Sequence, residues 1–213
     1  MLTINEIFYS IQGESTYAGR PCVFVRLTGC DLRCSWCDTE YAFHEGRRQS
    51  IEEVLAEVDR LDCPLVEVTG GEPLLQEGVY PLMQALLDRG RIVLLETGGH
   101  RSTARVPEAV VTILDVKCPG SGEAHRNDWS NLDRLRPRDE AKFVVKDRED
   151  YEFARLVIAR HHLGDRAAAV HLSPVHGVMD LRLLSEWVLA DRLPVRIQVQ
   201  LHKYIWDPGT RGV

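Results

Sequence analysis

The chain contains no apolar run near the roughly 18 to 20 residues that a membrane helix needs, so no transmembrane span is expected. Its opening, MLTINEIFYSIQGE, lacks a basic segment followed by an apolar stretch and carries acidic residues where a secretion signal has none. A cytoplasmic protein is the expectation. There is also no basic stripe: the formal net charge is -6 and the lysines and arginines are scattered, which argues against nucleic acid as a partner and favours a small-molecule substrate. No internal repeat, low-complexity tract or linker divides the 213 residues, so one domain spanning 1-213 is expected. Disulfides are not expected either, because reducing cytosol leaves six cysteines free for metal or catalysis, and three of the six fall within eight residues.

Apolar runs alternate with helical patterns almost from end to end. The runs Cys22 to Thr28, Leu65 to Thr69, Ile92 to Glu96, Val110 to Val116, Ala141 to Val145, Ala167 to Leu172 and Val195 to Leu201 read as strands. Between them, Ser50 to Leu61 has a capping-box pattern at Ser50 and Glu53, with Ile51, Val54, Leu55 and Val58 at helical spacing. Val79 to Arg89, Arg148 to His162 and Leu181 to Ala190 read similarly. Seven strands are too few for a complete eightfold barrel, so the pattern predicts an α/β fold: an open partial (βα) barrel of mainly parallel strands. The loops beginning at Gly29, Gly70, Thr97, Lys117 and Ser173 then share one mouth, beyond the carboxyl ends of the strands, and the motifs are expected in or beside them. Pro119 to Asp133, rich in Gly, Ser, His and Asn, reads as the least structured stretch.

The segment LTGCDLRCSWCDTEYAF places Cys30, Cys34 and Cys37 in a C-x3-C-x2-C spacing just after a strand. Three thiolates on one short loop can converge on one metal centre. A structural zinc site needs a fourth protein ligand, for which His44 or Cys63 would have to serve, and four-cysteine iron-sulfur sites use similar spacings. Here no fourth cysteine is near, which leaves one iron of a cluster open to a non-protein ligand. With Trp36 in the aromatic place, C-x3-C-x-aromatic-C resembles the signature of the radical S-adenosylmethionine (SAM) superfamily, and TGGEP at Thr69 to Pro73 resembles its Gly-Gly-Glu-Pro turn. The resemblance implies one 4Fe-4S cluster on Cys30, Cys34 and Cys37, whose open iron chelates the methionine moiety of SAM. One electron then splits the sulfonium to give a 5'-deoxyadenosyl radical.

Within that superfamily the opening FYSIQGESTYAGRPCVFVRLTGC resembles the 7-carboxy-7-deazaguanine synthases of queuosine biosynthesis. The likeness continues through CDT at Cys37, ETGG at Glu96, DVKCPGSG at Asp115, LSPVHG at Leu172 and QLHKYIW at Gln200. It implies a radical lyase that contracts 6-carboxy-5,6,7,8-tetrahydropterin to 7-carboxy-7-deazaguanine with loss of ammonia, leaving the protein to bind and orient. By resemblance, Ile11, Gln12, Gly13, Glu14, Arg26, Thr69 and His202 meet the substrate. Trp36, Cys37, Asp38, Gly71, Asp115, Val116, Lys117, Ser173, Pro174, Val175 and His176 line the SAM pocket, and Thr39 ligates magnesium. A homodimer and a low-potential electron donor such as flavodoxin or ferredoxin are implied as partners.

Each residue also has a plainer reading. Arg26 could be a structural ion pair, Gln12 and Glu14 an exposed turn, Thr69 a buried strand threonine, Thr39 a cap on its loop, and Lys117 and His176 ordinary polar strand ends. Cys22 and Cys63 read as small buried apolar residues, and Cys118 carries no transferable role. The competing classes are a glycyl-radical activase, which shares the cysteine loop but does not account for the Gln-Gly-Glu opening, and a zinc-binding interaction domain.

Overall fold

The alternating pattern resolves, in the computed structural model of residues 1-213, into nine strands and seven α-helical segments, with four short 3-10 turns between them. In chain order these are β1 (Leu2–Ile11), β2 (Pro21–Leu27), β3 (Arg47–Gln49), α1 (Ile51–Leu61), β4 (Leu65–Gly70), α2 (Val79–Asp88), β5 (Ile92–Thr97), β6 (Val111–Val116), α3 (Ser130–Asp133), β7 (Glu140–Val145), α4 (Arg148–Arg160), α5 (Leu163–Arg166), β8 (Ala169–Pro174), α6 (Leu181–Asp191), β9 (Arg196–Ile197) and α7 (His202–Ile205). All nine strands form one open sheet in the order β3-β1-β2-β4-β5-β6-β7-β8-β9. From β2 to β9 every neighbour is parallel, while β1 runs antiparallel to both β2 and β3. No helix is long and apolar enough to cross a membrane.

The strands are buried on both faces, yet their two faces differ in chemistry. Outward residues pack under helices: Val23, Val25, Val66 and Val68 join Val54, Val58, Leu82 and Leu86 in one core cluster. Ala141, Phe143 and Val145 join Tyr151, Ala154 and Ile158 in a second. The alternate residues Arg26, Glu67, Glu96, Asp115, Lys142 and Ser173 point into the partial barrel, where period-two alternation delivers polar groups to a shared cleft.

Two strands were not expected from the sequence. β1 hides its alternation behind a bulge, where the register shifts between Ile4 and Glu6. Leu2 and Ile4 therefore lie in the core, whereas Phe8, an even number of residues further on, faces the cleft and stacks on Phe24 at 4.9 Å. β3 is three polar residues whose exposed Arg47 and Arg48 blunt the sheet edge. The last predicted strand, Val195 to Leu201, shrinks to Arg196–Ile197 because the chain turns there to cross the open side of the barrel. Ala167 to Leu172 shifts to Ala169–Pro174.

The stretch Pro119 to Asp133 is not loose. It holds two short 3-10 turns and α3, and Asn131 pins it by donating to the carbonyls of Gly99 (3.1 Å) and Arg101 (2.8 Å). Asn127 likewise accepts from Lys117 N and donates to Lys117 O, each at 2.9 Å, which fixes the end of β6.

The capping box at the start of α1 is formed: Glu53 N donates to Ser50 Oγ at 3.1 Å and Ser50 N to the Glu53 carboxylate at 2.6 Å. Ser50→Ala should lower stability by about 0.5 to 2 kcal/mol. A shift in denaturant midpoint with an unchanged slope and unchanged activity is the expected result.

Candidate active site

The glycine-rich ends of β2 and β4 bring two loops into contact. Gly71 has no room for a side chain: a Cβ there would lie 2.5 Å from Gly29 O and 2.7 Å from Cys30 Cβ. Glu72 N donates to Gly29 O at 2.8 Å, so the loop after β4 is fastened to the cysteine loop. On its other flank, Ser35 N and Ser35 Oγ donate to Ser121 O (3.0 Å) and Gly120 O (2.7 Å). Asp31 completes the fixation, with His100 Nε2 and Arg101 Nη2 each at 2.6 Å and Arg126 Nη2 at 2.9 Å. Burial works against its charge, but His100 and the guanidinium of Arg101 hold Asp31 down to about 2. This clasp is therefore intact at neutral pH and releases only as pH falls toward about 2.

Within that clasp, Cys30, Cys34 and Cys37 are free, partly buried and line one cleft. Burial raises the Cys30 thiol and pushes Cys34 up to about 11, so both keep their protons at neutral pH until a metal displaces them. Three features of the cleft fit a cluster with a ligand bound beside it: three thiols with no fourth cysteine in the lining, the close backbone approach at Gly71, and the buried oxygens Ser173 Oγ and Asp115 Oδ1, which have no hydrogen-bond partner in the chain.

The cleft holds about 640 Å³, the size of a small-molecule site. Its floor is built by the loop after β1, at the opposite strand end from the cysteines, since Ile11 pairs with Pro21 at the start of β2. The Gln-Gly-Glu segment thus departs from the shared mouth and plugs the barrel from below. Gln12 donates through Nε2 to the carboxyl of Glu67, and its Oε1 accepts from Glu14 N at 3.0 Å. Thr16 donates to Glu140, a buried carboxylate that also meets His171 Nε2 at 2.6 Å. Glu14 lies 2.6 Å from Lys142 Nζ, which also meets Glu96 at 2.7 Å. Glu96 in turn accepts from Thr69 Oγ1 at 3.5 Å.

The open side is crossed by the chain after β9. Gln198 donates to Ser15 O (2.8 Å), Gln200 to Glu14 (2.9 Å) and Leu201 N to Gly13 O (3.0 Å). Gly13 must be glycine here, because a Cβ would fall 2.1 Å from His202 Nδ1. Lys203 Nζ reaches Asp38 at 2.7 Å, which ties this crossing to the cysteine loop.

Of the expected site residues, Ile11, Gln12, Gly13, Glu14, Arg26, Thr69, His202, Trp36, Asp38, Gly71, Asp115, Lys117, Ser173, Pro174, Val175, His176 and Thr39 line this one cleft with the three cysteines. Val116 does not. Its side chain points outward into the second core cluster, as alternation from Asp115 requires. The plainer readings fare unevenly. Gln12 is buried rather than an exposed turn, and Thr39 makes no side-chain cap bond, its Oγ1 lying 3.8 Å from Cys37 Sγ. Arg26 does form an ion pair, Nε to Glu6 at 2.8 Å, and only its Nε is so engaged. Lys117 pairs with Asp115 at 2.7 Å. Glu67, Lys142 and the Asp31 clasp escaped the sequence reading. A charged residue inside LVEVTG or EAKFVV was the available signal, since such a residue in a doubly buried strand has to find a partner.

A parallel partial barrel with three cysteines after its first parallel strand is the core of a radical SAM protein, and the Radical SAM superfamily model matches residues 24–119. The chain is 50% identical to a 7-carboxy-7-deazaguanine synthase of Koribacter versatilis over the full length of both, and 51% identical to that of Chlorobaculum tepidum, covering 100% of this chain and 97% of the other. Among solved structures it is similar to QueE from Escherichia coli, with TM-score 0.78, 26% identity and 94% of each chain covered. The chain belongs to the 7-carboxy-7-deazaguanine synthase family. That membership sets aside the activase and zinc-domain alternatives.

Lys142 is 5% exposed and holds two carboxylates. Lys142→Met should cost about 3 kcal/mol, chiefly by leaving Glu14, whose side chain is 14% exposed, without a counter-charge, with a smaller loss from the more exposed Glu96. Denaturant unfolding of the cluster-free protein measures it; a loss below 1 kcal/mol, on the order of an exposed pair, would contradict the burial.

Proposed function

We propose that this protein converts 6-carboxy-5,6,7,8-tetrahydropterin to 7-carboxy-7-deazaguanine with loss of ammonia, in the queuosine branch of 7-deazapurine synthesis. The observation that carries this reading is a cleft with two unlike ends: three thiols at the mouth and a closed, carboxyl-rich floor beneath one arginine. Cys30, Cys34 and Cys37 would hold a 4Fe-4S cluster, and Gly71, Asp115, Lys117, Ser173, Pro174, Val175 and His176, with Trp36 and Asp38 nearby, would hold SAM. When bound, the pair supplies a carbon-centred radical able to take hydrogen from a substrate carbon.

The protein's own residues bind and orient. Arg26 has a planar fork suited to a carboxylate, and its pairing with Glu6 through Nε aims the guanidinium while leaving its outer edge for the ligand. Glu14 and Glu96, held apart by Lys142, supply acceptors for the amino and N–H groups of a pterin. Gln12, Gly13 and Ile11 shape the floor, and Thr69 and His202 close the sides. Burial lowers the basicity of His202, although Glu14 opposes it, so the ring is neutral at neutral pH and able to accept or donate. The crossing chain keeps water and stray hydrogen donors from the floor. Thr39, with substrate oxygens and waters, would complete a magnesium site, because that ion takes oxygen ligands and keeps part of its hydration. A flavodoxin or ferredoxin as electron donor, a homodimeric assembly and a cytoplasmic setting complete the proposal.

Substrate deuterated at carbon 6, incubated anaerobically with reconstituted enzyme and reductant, should pass its label to the 5' carbon of deoxyadenosine and of recovered SAM. Cofactor cleavage with the pterin untouched would remove the assignment. Thr39→Val should abolish the magnesium response of the rate while the cluster absorbance stays; an unchanged response would place the ion elsewhere.

A further inference from the structure

The carboxyl side chains that line the cleft are Glu14, Asp38, Glu67, Glu96 and Asp115. Four of them have a lysine ammonium in contact: Lys142 at 2.6 Å from Glu14 and 2.7 Å from Glu96, Lys203 at 2.7 Å from Asp38, and Lys117 at 2.7 Å from Asp115. Glu67 has none. It sits mid-strand on β4, 4% exposed, and its one hydrogen bond comes from the neutral amide of Gln12.

No cation among the groups around it forms an ion pair with Glu67. Glu14 from the floor loop and Glu96 from β5 are like charges, Lys142 from β7 is committed to both, and Arg26 from β2 is paired with Glu6. An ionised carboxylate here would be a buried charge without compensation, which proteins avoid by neutralising the group. Burial, and then the charges of Glu96 and Glu14, hold the Glu67 proton on to well above the ordinary carboxylate range. Because Gln12 donates to Oε2, the proton belongs on Oε1, which has no hydrogen-bond partner in the chain.

We propose that Glu67 is a specificity-determining residue that contacts the bound heterocycle as a neutral carboxylic acid, its Oε1 hydroxyl donating to an uncharged acceptor such as a lactam carbonyl or a ring nitrogen. The proposal rests on the reading that a pterin occupies the cleft. It explains how one floor meets both kinds of ring edge. Glu14 and Glu96 accept from amino and N–H groups, and Glu67 supplies the donor that these anions cannot. A ligand with an amino group in place of that carbonyl would face hydroxyl and amine as two donors, and a site built this way rejects it.

Two variants test the assignment on anaerobically reconstituted enzyme. Glu67→Gln keeps a neutral donor of the same shape, and its KM should stay within about threefold of the parent. Glu67→Leu removes the donor, so KM should rise roughly tenfold or more with a smaller change in kcat and with uncoupled SAM cleavage retained. A parental KM in Glu67→Leu would show that the residue does not touch substrate, and equal damage in both variants would show an ionised carboxylate; either result overturns the proposal. Should Glu67→Leu fail to fold, difference infrared spectroscopy of the parent against Glu67→Gln decides, without substrate. Loss of a protonated-carboxyl carbonyl band upholds the neutral acid, and loss of carboxylate bands refutes it. Failure of the unaltered enzyme to consume the pterin is a separate outcome, which sinks the functional reading while the infrared assignment still stands.

Discussion

An open sheet that curls into part of a barrel exposes the inside of its strands, and here that inside carries charge. Lys142 is the group that makes this tolerable. Its ammonium joins Glu14, on the floor loop, to Glu96, on a strand two places away across β6, so a single buried cation fastens the plug to the wall. Attraction between such groups offsets their desolvation only when geometry is good and the remaining hydrogen bonds are met. Gln200 to Glu14 and Thr69 to Glu96 provide part of that satisfaction. The floor, the crossing chain and the wall are therefore one electrostatic unit, and the position of the Gln-Gly-Glu segment follows from it.

The mouth is fixed by other means and through other residues. Asp31, His100, Arg101 and Arg126 clamp one flank of the cysteine loop, the carbonyls of Gly120 and Ser121 clamp the other, and Gly71 presses from beneath. Glu72 braces the loop after β4, accepting from Leu74 N, Thr97 Oγ1 and Gly98 N. Cysteines held this way can present sulfur to a cluster without the loop having to order at the time of binding, which lowers the entropic cost of assembly. The mouth and the floor are thus held largely by separate sets of contacts, with Lys203 to Asp38 as the link between them.

Much of this was legible in the residues, and what was not has identifiable causes. The parallel strands read clearly because doubly buried strands are continuous apolar runs. The helix at Ile51–Leu61 read clearly because its cap and its apolar face agree. β1 did not, since a bulge inverts its alternation partway along, and the last strand was overestimated because its apolar and β-branched residues continue past the point where Gln198 and Gln200 turn aside. The cysteine loop could be read from spacing alone, as its ligands are neighbours in sequence. The floor could not, because Gln12, Glu67, Glu96 and Lys142 meet only once strands from both halves of the sheet are in register. Val116 shows the limit of carrying a motif across as a block: three consecutive residues of a strand cannot all face the same way.

The crossing after β9 has a consequence for the order in which the molecule becomes competent. Gln198, Gln200 and Leu201 are bonded to Ser15, Glu14 and Gly13, and His202 fills the space that Gly13 leaves empty, so segments almost two hundred residues apart in sequence are buttoned to each other across the gap in the sheet. During synthesis the cysteine loop and the early strands emerge well before the crossing segment does. A chain made only as far as β8 has its mouth and its floor loop, but the open side between them stays uncovered until residues 198 to 202 are in place.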